Sequence, residues 1–199
     1  MPAPAHVSAV PRQRRWATTD ATQQRILDAA IEVFRERGYT VATIGDVVTA
    51  SGASIGSIYH HFGGKAELFL AIHERMAVDV ELRIAEVAAA AAAADSFEAQ
   101  FRAYLDAVWV NRQTAKVLAA DDIPPGFDRI RRDDMLTRFR EWVSVLDIGI
   151  PAADGDSLLV RILIGVLSES AGMVMDCDDA AEVLPVVDAA IGYINRLIS

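Results

Sequence analysis

Apolar residues recur along most of the chain at the three- and four-residue spacing that places side chains on one face of an α-helix. In the first such segment Ile26, Ala30 and Phe34 fall on one face, and a longer segment begins at Lys65. No stretch alternates apolar and polar residues long enough to argue for a β-strand. The pattern predicts helices from about residue 20 to Gly38, from Thr43 to Ser51, over 55–61, from Lys65 into the alanines 88–94, and near 96–118, 128–147, 155–175 and 179–198.

Composition agrees with an all-α chain. Alanine, a strong helix former and a poor strand former, accounts for 34 of the 199 residues. The hydrophobic share of 52% is too high for a disordered chain, and the charged share of 24% is too high for a membrane protein. We therefore expect about nine helices, arranged as an N-terminal three-helix domain and a second helical domain.

Prolines and glycines divide the chain. Residues 1–19 hold three prolines and no apolar period, which predicts a flexible arm. Breaks are expected at 121–126, which contains two adjacent prolines, and at 149–155. Pro185 falls inside the last predicted helix and should kink that helix or delay its start. The predicted organisation is an arm over 1–19, one domain over 20–65 and another over 66–199.

Residues 43–65 carry the signals of two short helices joined by a glycine turn. Thr43 can cap the first helix through its hydroxyl, and the charge of Asp46 suits the helix N-terminus. Gly52 can turn the chain at low cost, and Ser54 can cap the second helix. Two short helices joined in this way form a helix-turn-helix, in which the second helix enters the major groove of DNA.

The second helix starts with the small polar residues that a DNA groove admits. Ser54 and Ser57 are short and polar, and Gly56 permits close approach of the backbone. Tyr59 can hydrogen-bond a phosphate through its hydroxyl. Lys65 starts the following helix, where its ammonium and the free N–H groups of the first turn can hold a phosphate together.

The charge distribution supports an anionic partner near the N-terminus. The whole chain has a net charge of −9, yet residues 1–65 hold seven basic and five acidic side chains. No acidic residue lies between Asp46 and Glu67. A segment that approaches a phosphate backbone needs such a gap. The alternative is a short stretch that lacks acids by chance.

These residues resemble the N-terminal DNA-binding domain of the tetracycline-repressor-like (TetR) transcriptional regulators. The run from Gly56 to Lys65 is the most specific part of the resemblance, which spans about a quarter of the chain, over roughly 20–70. The residues that carry it are Ile26-Leu27-Asp28-Ala29-Ala30, Phe34, Gly38-Tyr39, Thr43, Ser51-Gly52-Ala53-Ser54, Gly56-Ser57-Ile58-Tyr59-His60-His61-Phe62, Lys65 and Leu68.

The resemblance implies a DNA-binding surface on the helix-turn-helix. Two positions depart from the family: Gly45 stands where such regulators often carry a basic or larger residue, and Ala53 replaces a commoner valine. Arg14 and Arg15 of the arm, with Arg12, are expected to reach the adjacent minor groove. The alternative is a tail that merely tolerates arginines. The residues implied to line the DNA face are Thr43, Ser54, Gly56, Ser57, Tyr59, His60, His61 and Lys65.

The last two predicted helices carry apolar residues on more than one side. This breadth indicates more than one buried face. Two such helices from each of two chains would form a four-helix dimer interface, which the resemblance also implies, whereas the alternative is that they only close the core of one chain. A homodimer would place two recognition helices ~34–36 Å apart, the spacing at which they meet a palindromic site.

The middle of the chain is where we expect a small-molecule effector to bind. An apolar cavity with a few polar groups is how such sites are built, and an arginine would suit an acidic ligand. Aromatic residues at helical spacing are more often core, so this assignment competes with a purely structural one. The predicted ligand-binding residues are Phe101, Tyr104, Trp109, Arg112, Phe139 and Trp142.

Several function classes receive no support from the sequence. His60 and His61 are adjacent and point about 100° apart on a helix, so we expect no metal site, and we expect no cofactor. No glycine-rich phosphate loop, nucleophile motif or marked carboxylate pair is present, so we expect no enzyme. The single cysteine, Cys177, suits a cytoplasmic protein and is interpreted as an ordinary small side chain. No run of 18 apolar residues and no secretory signal pattern is found, so we expect no membrane partner.

The sequence thus predicts a dimeric transcriptional regulator, most often a repressor in proteins of this kind. It would bind a double-stranded DNA operator and leave it when a small molecule binds. A helical small-molecule-binding or enzymatic protein with a purely structural helix-turn-helix is the alternative. An activator, or a regulator without a ligand, would give the same sequence signals.

Overall fold

The computed structural model describes residues 21–90, 96–145 and 158–198. Over these ranges the chain forms nine helices and no strand, so the all-α prediction is confirmed. The helices are α1 (Ala21–Val41), α2 (Ile44–Ser51), α3 (Ile55–Phe62), α4 (Lys65–Ala90), α5 (Ser96–Val110), α6 (Arg112–Ala119), α7 (Phe127–Val145), α8 (Leu158–Asp176) and α9 (Ala180–Ile198).

Two apolar clusters hold these helices together. The first is formed mainly by α1–α4, and Ile26, Ile58 and Phe69 lie at its fully buried centre. It also takes Val117 from α6 and Phe127 from the start of α7. The second cluster joins side chains of α5, α7, α8 and α9. The core around the helix-turn-helix therefore includes residues well beyond position 65, and α6 ties it to the rest of the chain.

The C-terminal end of α1 is bent at Gly38 and held by a distant loop. Gly38 has φ 73° and ψ 165°, outside the helical region, as expected for the residue that ends the first helical run; a short helical stretch follows the kink and extends to Val41. The carboxylate of Asp122, which follows α6, accepts hydrogen bonds from the Thr40 backbone N–H (3.0 Å) and from the Thr40 hydroxyl. These bonds hold the pKa of Asp122 below its ordinary value. The contact ties the α6–α7 loop to the chain segment that enters α2.

Replacing Gly38 with alanine should destabilise the fold by about 2–3 kcal/mol. Gly38 has φ 73° and ψ 165°, a backbone conformation that is essentially confined to glycine and costs another residue about 1–3 kcal/mol, and the new Cβ would collide with the Asp122 carboxylate. Gly126→Ala is the matched control, because Gly126 has φ +82° and open space around its Cβ position. Chemical denaturation of both variants measures the difference. Equal losses in the two variants would show that the collision of the new Cβ with Asp122 adds no cost.

One predicted helix is divided in the structure, and two others follow the prediction. The expected helix over 96–118 is interrupted at Asn111, whose side-chain amide donates to the Ala107 carbonyl (3.0 Å). The last helix starts at Ala180 and runs through Pro185, so its start is not delayed. A proline that close to a helix start removes one backbone hydrogen bond near the exposed end. The long fourth helix runs from Lys65 into the alanine tract, as predicted, and the structure describes it as far as Ala90.

One described helix, α8, is long and apolar enough to pass a length-and-composition test for a membrane span. Three of its side chains, Val160, Leu163 and Leu167, are buried in the second cluster. A core helix of this kind passes the same test. The burial accounts for its apolar character on that side.

Candidate nucleic-acid interface

A reciprocal cap fixes the start of α2. The Thr43 hydroxyl oxygen accepts from the Asp46 backbone N–H (3.1 Å), and the Asp46 carboxylate accepts from the Thr43 backbone N–H (2.9 Å). Hydrogen bonds from Thr43 lower the pKa of Asp46, and Arg37 forms an ion pair with the same carboxylate at 2.9 Å. The predicted capping role of Thr43 is thereby confirmed. The carboxylate of Asp46 therefore faces the cap, and Arg37 neutralises its negative charge.

The turn between α2 and α3 is made by Gly52, which ends α2 in the left-handed conformation with φ 66°. Ser54 then caps α3, because its side-chain oxygen accepts from the Ser57 backbone N–H at 3.1 Å. Ile58 is fully buried and anchors α3 in the first cluster. These local interactions give the two short helices a defined mutual position, as the sequence predicts.

The residues predicted to contact DNA lie together around α2 and α3, and most are open to solvent. Tyr59 is 52% exposed. His61 is half-buried, and its Nδ1 lies 3.1 Å from the side-chain amide of Gln23 on α1. The exposed members of the set are Thr43, Ser54, Gly56, Tyr59 and His60, and the half-buried members are Ser57, His61 and Lys65.

Lys65 makes contacts that the sequence does not predict. Its ammonium donates to the carbonyl oxygens of Tyr39 (2.7 Å), Ala42 (2.8 Å) and Thr40 (3.3 Å). It also lies 4.4 Å from the centre of the Tyr39 ring. All three donors of the ammonium are therefore taken by carbonyls at the end of α1 and just beyond it. The expectation of an ammonium free to hold a phosphate does not fit this arrangement. A DNA contact by Lys65 stays a prediction that requires the ammonium to leave these carbonyls.

The arginines of the arm, Arg12, Arg14 and Arg15, lie outside the described residues. Their predicted minor-groove contact remains a prediction. Among the residues that the structure describes, no group of three histidine, cysteine or acidic side chains is placed to hold a metal ion. The rings of His60 and His61 lie 5.2 Å apart in an edge-to-face arrangement.

The predicted ligand-binding residues fall mainly in the second apolar cluster. Phe101 and Phe139 are buried in it, and Tyr104 and Trp109 pack against it. Burial raises the pKa of Tyr104 to about 12. The guanidinium of Arg112 stacks on the Trp109 ring at 4.0 Å. Trp142 lies outside the residues whose side chains the structure describes.

An open cavity of about 200 Å³ lies between α1, α4 and α6, beside the Asp122 contact. None of the six predicted ligand-binding residues lines it. Its walls are formed by Phe34, Arg35, Gly38, Tyr39, Phe69, Lys116, Val117, Ala120 and Asp122.

Comparisons with known proteins agree with this geometry. Residues 26–72 match the family model of bacterial regulatory proteins of the tetR family. Over 56 residues the chain is 41% identical to the HTH-type transcriptional regulator SrpR of Pseudomonas putida, a match that covers 28% of this chain and 26% of that protein. It is 30% identical over 135 residues to the HTH-type transcriptional repressor KstR2 of Rhodococcus jostii, covering 63% of each chain. The matches thus span from about a quarter to somewhat less than two thirds of these relatives.

The likeness of fold extends over nearly the whole chain. A TetR-like transcriptional regulator from Rhodococcus sp. RHA1 superimposes with a TM-score of 0.66 at 21% identity, covering 95% of this chain and 96% of that one. The N-terminal match and this fold together define the class of protein: a helix-turn-helix protein with a helical C-terminal part. Through residues 26–72 the chain is similar to the tetR family of bacterial regulatory proteins.

Proposed function

We propose that the protein is a dimeric transcriptional repressor that binds a palindromic DNA operator and is released by a small-molecule effector. The observation that carries the proposal is the exposed start of α3, where Ser54, Ile55 and Gly56 are open to solvent beside the capped α2. No carboxylate lies on it, since Asp46 is held by Thr43 and Arg37. A surface of this shape and charge fits the floor and walls of a major groove.

The helices α8 and α9 support dimerisation. Each packs one side into the second cluster and leaves large apolar residues in solvent on another side. Large apolar residues left exposed on two helices that pack together favour an interface. The exposed residues are Leu158 (73%), Ile162 (40%), Met173 (53%), Leu184 (60%), Tyr193 (59%) and Leu197 (41%).

Two sets of contacts could transmit effector binding to the DNA-binding surface formed by α2 and α3. Helix α4 runs from Lys65, beside the helix-turn-helix, to Ala90, and packs closely on α5. The α6–α7 loop holds the end of α1 through Asp122 and Thr40. An effector that displaces these elements opposes DNA binding by a coupling free energy of typically ~1–3 kcal/mol. The relative KstR2 is named a repressor, and this favours a repressor that the effector releases from DNA over a transcriptional activator.

A gel-shift and footprinting experiment with the DNA upstream of the protein's own gene tests this proposal. The pure protein should run as a dimer by light scattering and protect a palindromic site. Adding a cytoplasmic extract that contains the effector should weaken the protection. A pure dimer that protects no DNA at any salt concentration would instead favour a helical small-molecule-binding or enzymatic protein.

Two variants should distinguish a residue that contacts the phosphate backbone from a residue that selects bases. Tyr59→Phe removes one hydroxyl from an exposed ring and should lower affinity for every duplex by a common factor of about five per half-site, because a lost hydrogen bond costs about 1 kcal/mol. Ser57→Ala should instead change the ranking of operator sequences. Affinities measured on a panel of single-base operator variants check both results. A changed ranking with Tyr59→Phe would contradict its assignment to the phosphate backbone.

A further inference from the structure

The first residue of α3 is an exposed isoleucine. Ile55 is 56% exposed, although it lies three residues before the fully buried Ile58. That spacing would place the two side chains on one face of a longer helix. In the structure, Ile58 fills the core, and Ile55 extends into solvent at the helix start.

We propose that Ile55 is a specificity-determining residue that recognises the C5-methyl group of a thymine in the major groove. The inference rests on the proposed function, since it assigns one side chain of that DNA-binding surface a base partner. The thymine methyl is the apolar feature that the major groove presents, and apolar side chains recognise it by contact. Cytosine at the same position offers an amino donor in place of the methyl group, so Ile55 would favour thymine.

The surroundings of Ile55 leave the side chain free to make this contact. Ser54 precedes it, and the hydroxyl oxygen of Ser54 is turned back to accept from the Ser57 backbone N–H. Gly56 follows it, and a Cβ built there would meet only the Ser54 hydroxyl, at 3.9 Å. The branched side chain therefore stands beside a glycine and two short serines. It is the bulkiest group of the helix start and would reach the base edges first.

Tyr59 fixes how the contact would be oriented. It lies one helical turn after Ile55 and is 52% exposed. With the Tyr59 hydroxyl on a phosphate at the groove wall, the start of α3 enters the groove and Ile55 faces the bases. Buried Ile58 holds this orientation from the other side of the helix.

The test uses the full-length protein and a duplex that it selects from a random-sequence pool. Each thymine of the selected site is replaced in turn by deoxyuridine, which removes the methyl group and keeps the base pairing. Affinities are measured by fluorescence anisotropy for the wild type and for Ile55→Ala. Ile55→Val retains a branched side chain, and Leu82→Ala is the matched control, since Leu82 is 53% exposed on α4.

We expect one thymine in each half-site at which uracil lowers wild-type affinity by about three- to five-fold, the effect of burying one methyl group. Ile55→Ala should lose that sensitivity, Ile55→Val should keep part of it, and Leu82→Ala should keep all of it. Tight binding without such a thymine, or equal sensitivity in Ile55→Ala, would overturn the assignment of Ile55 and leave the proposed function intact. If the pool yields no bound duplex, the proposed function fails, and this inference fails with it.

Discussion

Replacing Ile162 with glutamate should convert the protein from a dimer to a monomer and lower its operator affinity by roughly a hundred-fold or more. Ile162 is 40% exposed on α8, in the apolar surface proposed to meet a second copy. A buried, unpaired carboxylate at such an interface is strongly unfavourable. A monomer binds only one half-site, and losing the second removes an avidity factor of about 10²–10⁴. Light scattering and anisotropy titrations measure the two effects.

The control for this prediction is Leu82→Glu. Leu82 is 53% exposed on α4 and lies outside the proposed interface. This variant should remain dimeric and keep its operator affinity. An Ile162→Glu protein that stays dimeric would place the interface on another surface. A monomeric variant that binds the operator as tightly as the wild type would show that binding does not require two recognition helices.

Replacing Lys65 with methionine should lower the free energy of unfolding by about 2 kcal/mol, the scale of hydrogen bonds from a charged group. Methionine keeps much of the side-chain length but leaves the carbonyls of Tyr39 and Ala42 without their donor. The same carbonyls lie just before Thr43, so the start of α2 should loosen as well. Urea denaturation gives the stability change, and anisotropy gives the accompanying loss of DNA affinity.

The chain offers a close control, since Lys116 is the other lysine and is exposed on α6. Lys116→Met should leave stability nearly unchanged. If Lys65→Met also left stability unchanged but reduced the salt dependence of DNA binding, Lys65 would act as the phosphate ligand that the sequence suggests. An unchanged salt dependence of DNA binding together with reduced stability would establish that Lys65 stabilises the end of α1.

Local signals were sufficient to predict the helix-turn-helix. Thr43 and Asp46 are three residues apart, and the cap they form depends only on that spacing and on the helix start. Gly52 and Ser54 act in the same local way. The all-α class followed from periodicity and alanine content, because both act within single helices.

The contacts that join separate parts of the chain could not be predicted in this way. Lys65 meets carbonyls 23 to 26 residues earlier, and Asp122 meets Thr40 across 82 residues. Both depend on how α1, α4 and α6 are packed, which a single sequence does not specify. The exposure of Ile55 also depends on how α3 packs, since Ile58 three residues later is fully buried.

The interruption at Asn111 illustrates a weaker sequence signal. Apolar residues continue at helical spacing through this point, so one long helix was predicted. Asparagine competes with the helix backbone by bonding to nearby carbonyls, as the Asn111 amide does with Ala107. Glycine or proline would have marked the boundary more clearly. The consequence is functional, because the separate helix α6 places Asp122 against the end of α1.

Hydrogen–deuterium exchange of the full-length protein, with and without its selected duplex, shows whether the surface of α2 and α3 enters the DNA groove. Backbone amides within 43–62 should exchange more slowly when DNA is bound, while those of α8 and α9 should be little changed. Tight DNA binding with protection confined to 96–145 or 158–198, and none over 43–62, would show that another surface binds the DNA.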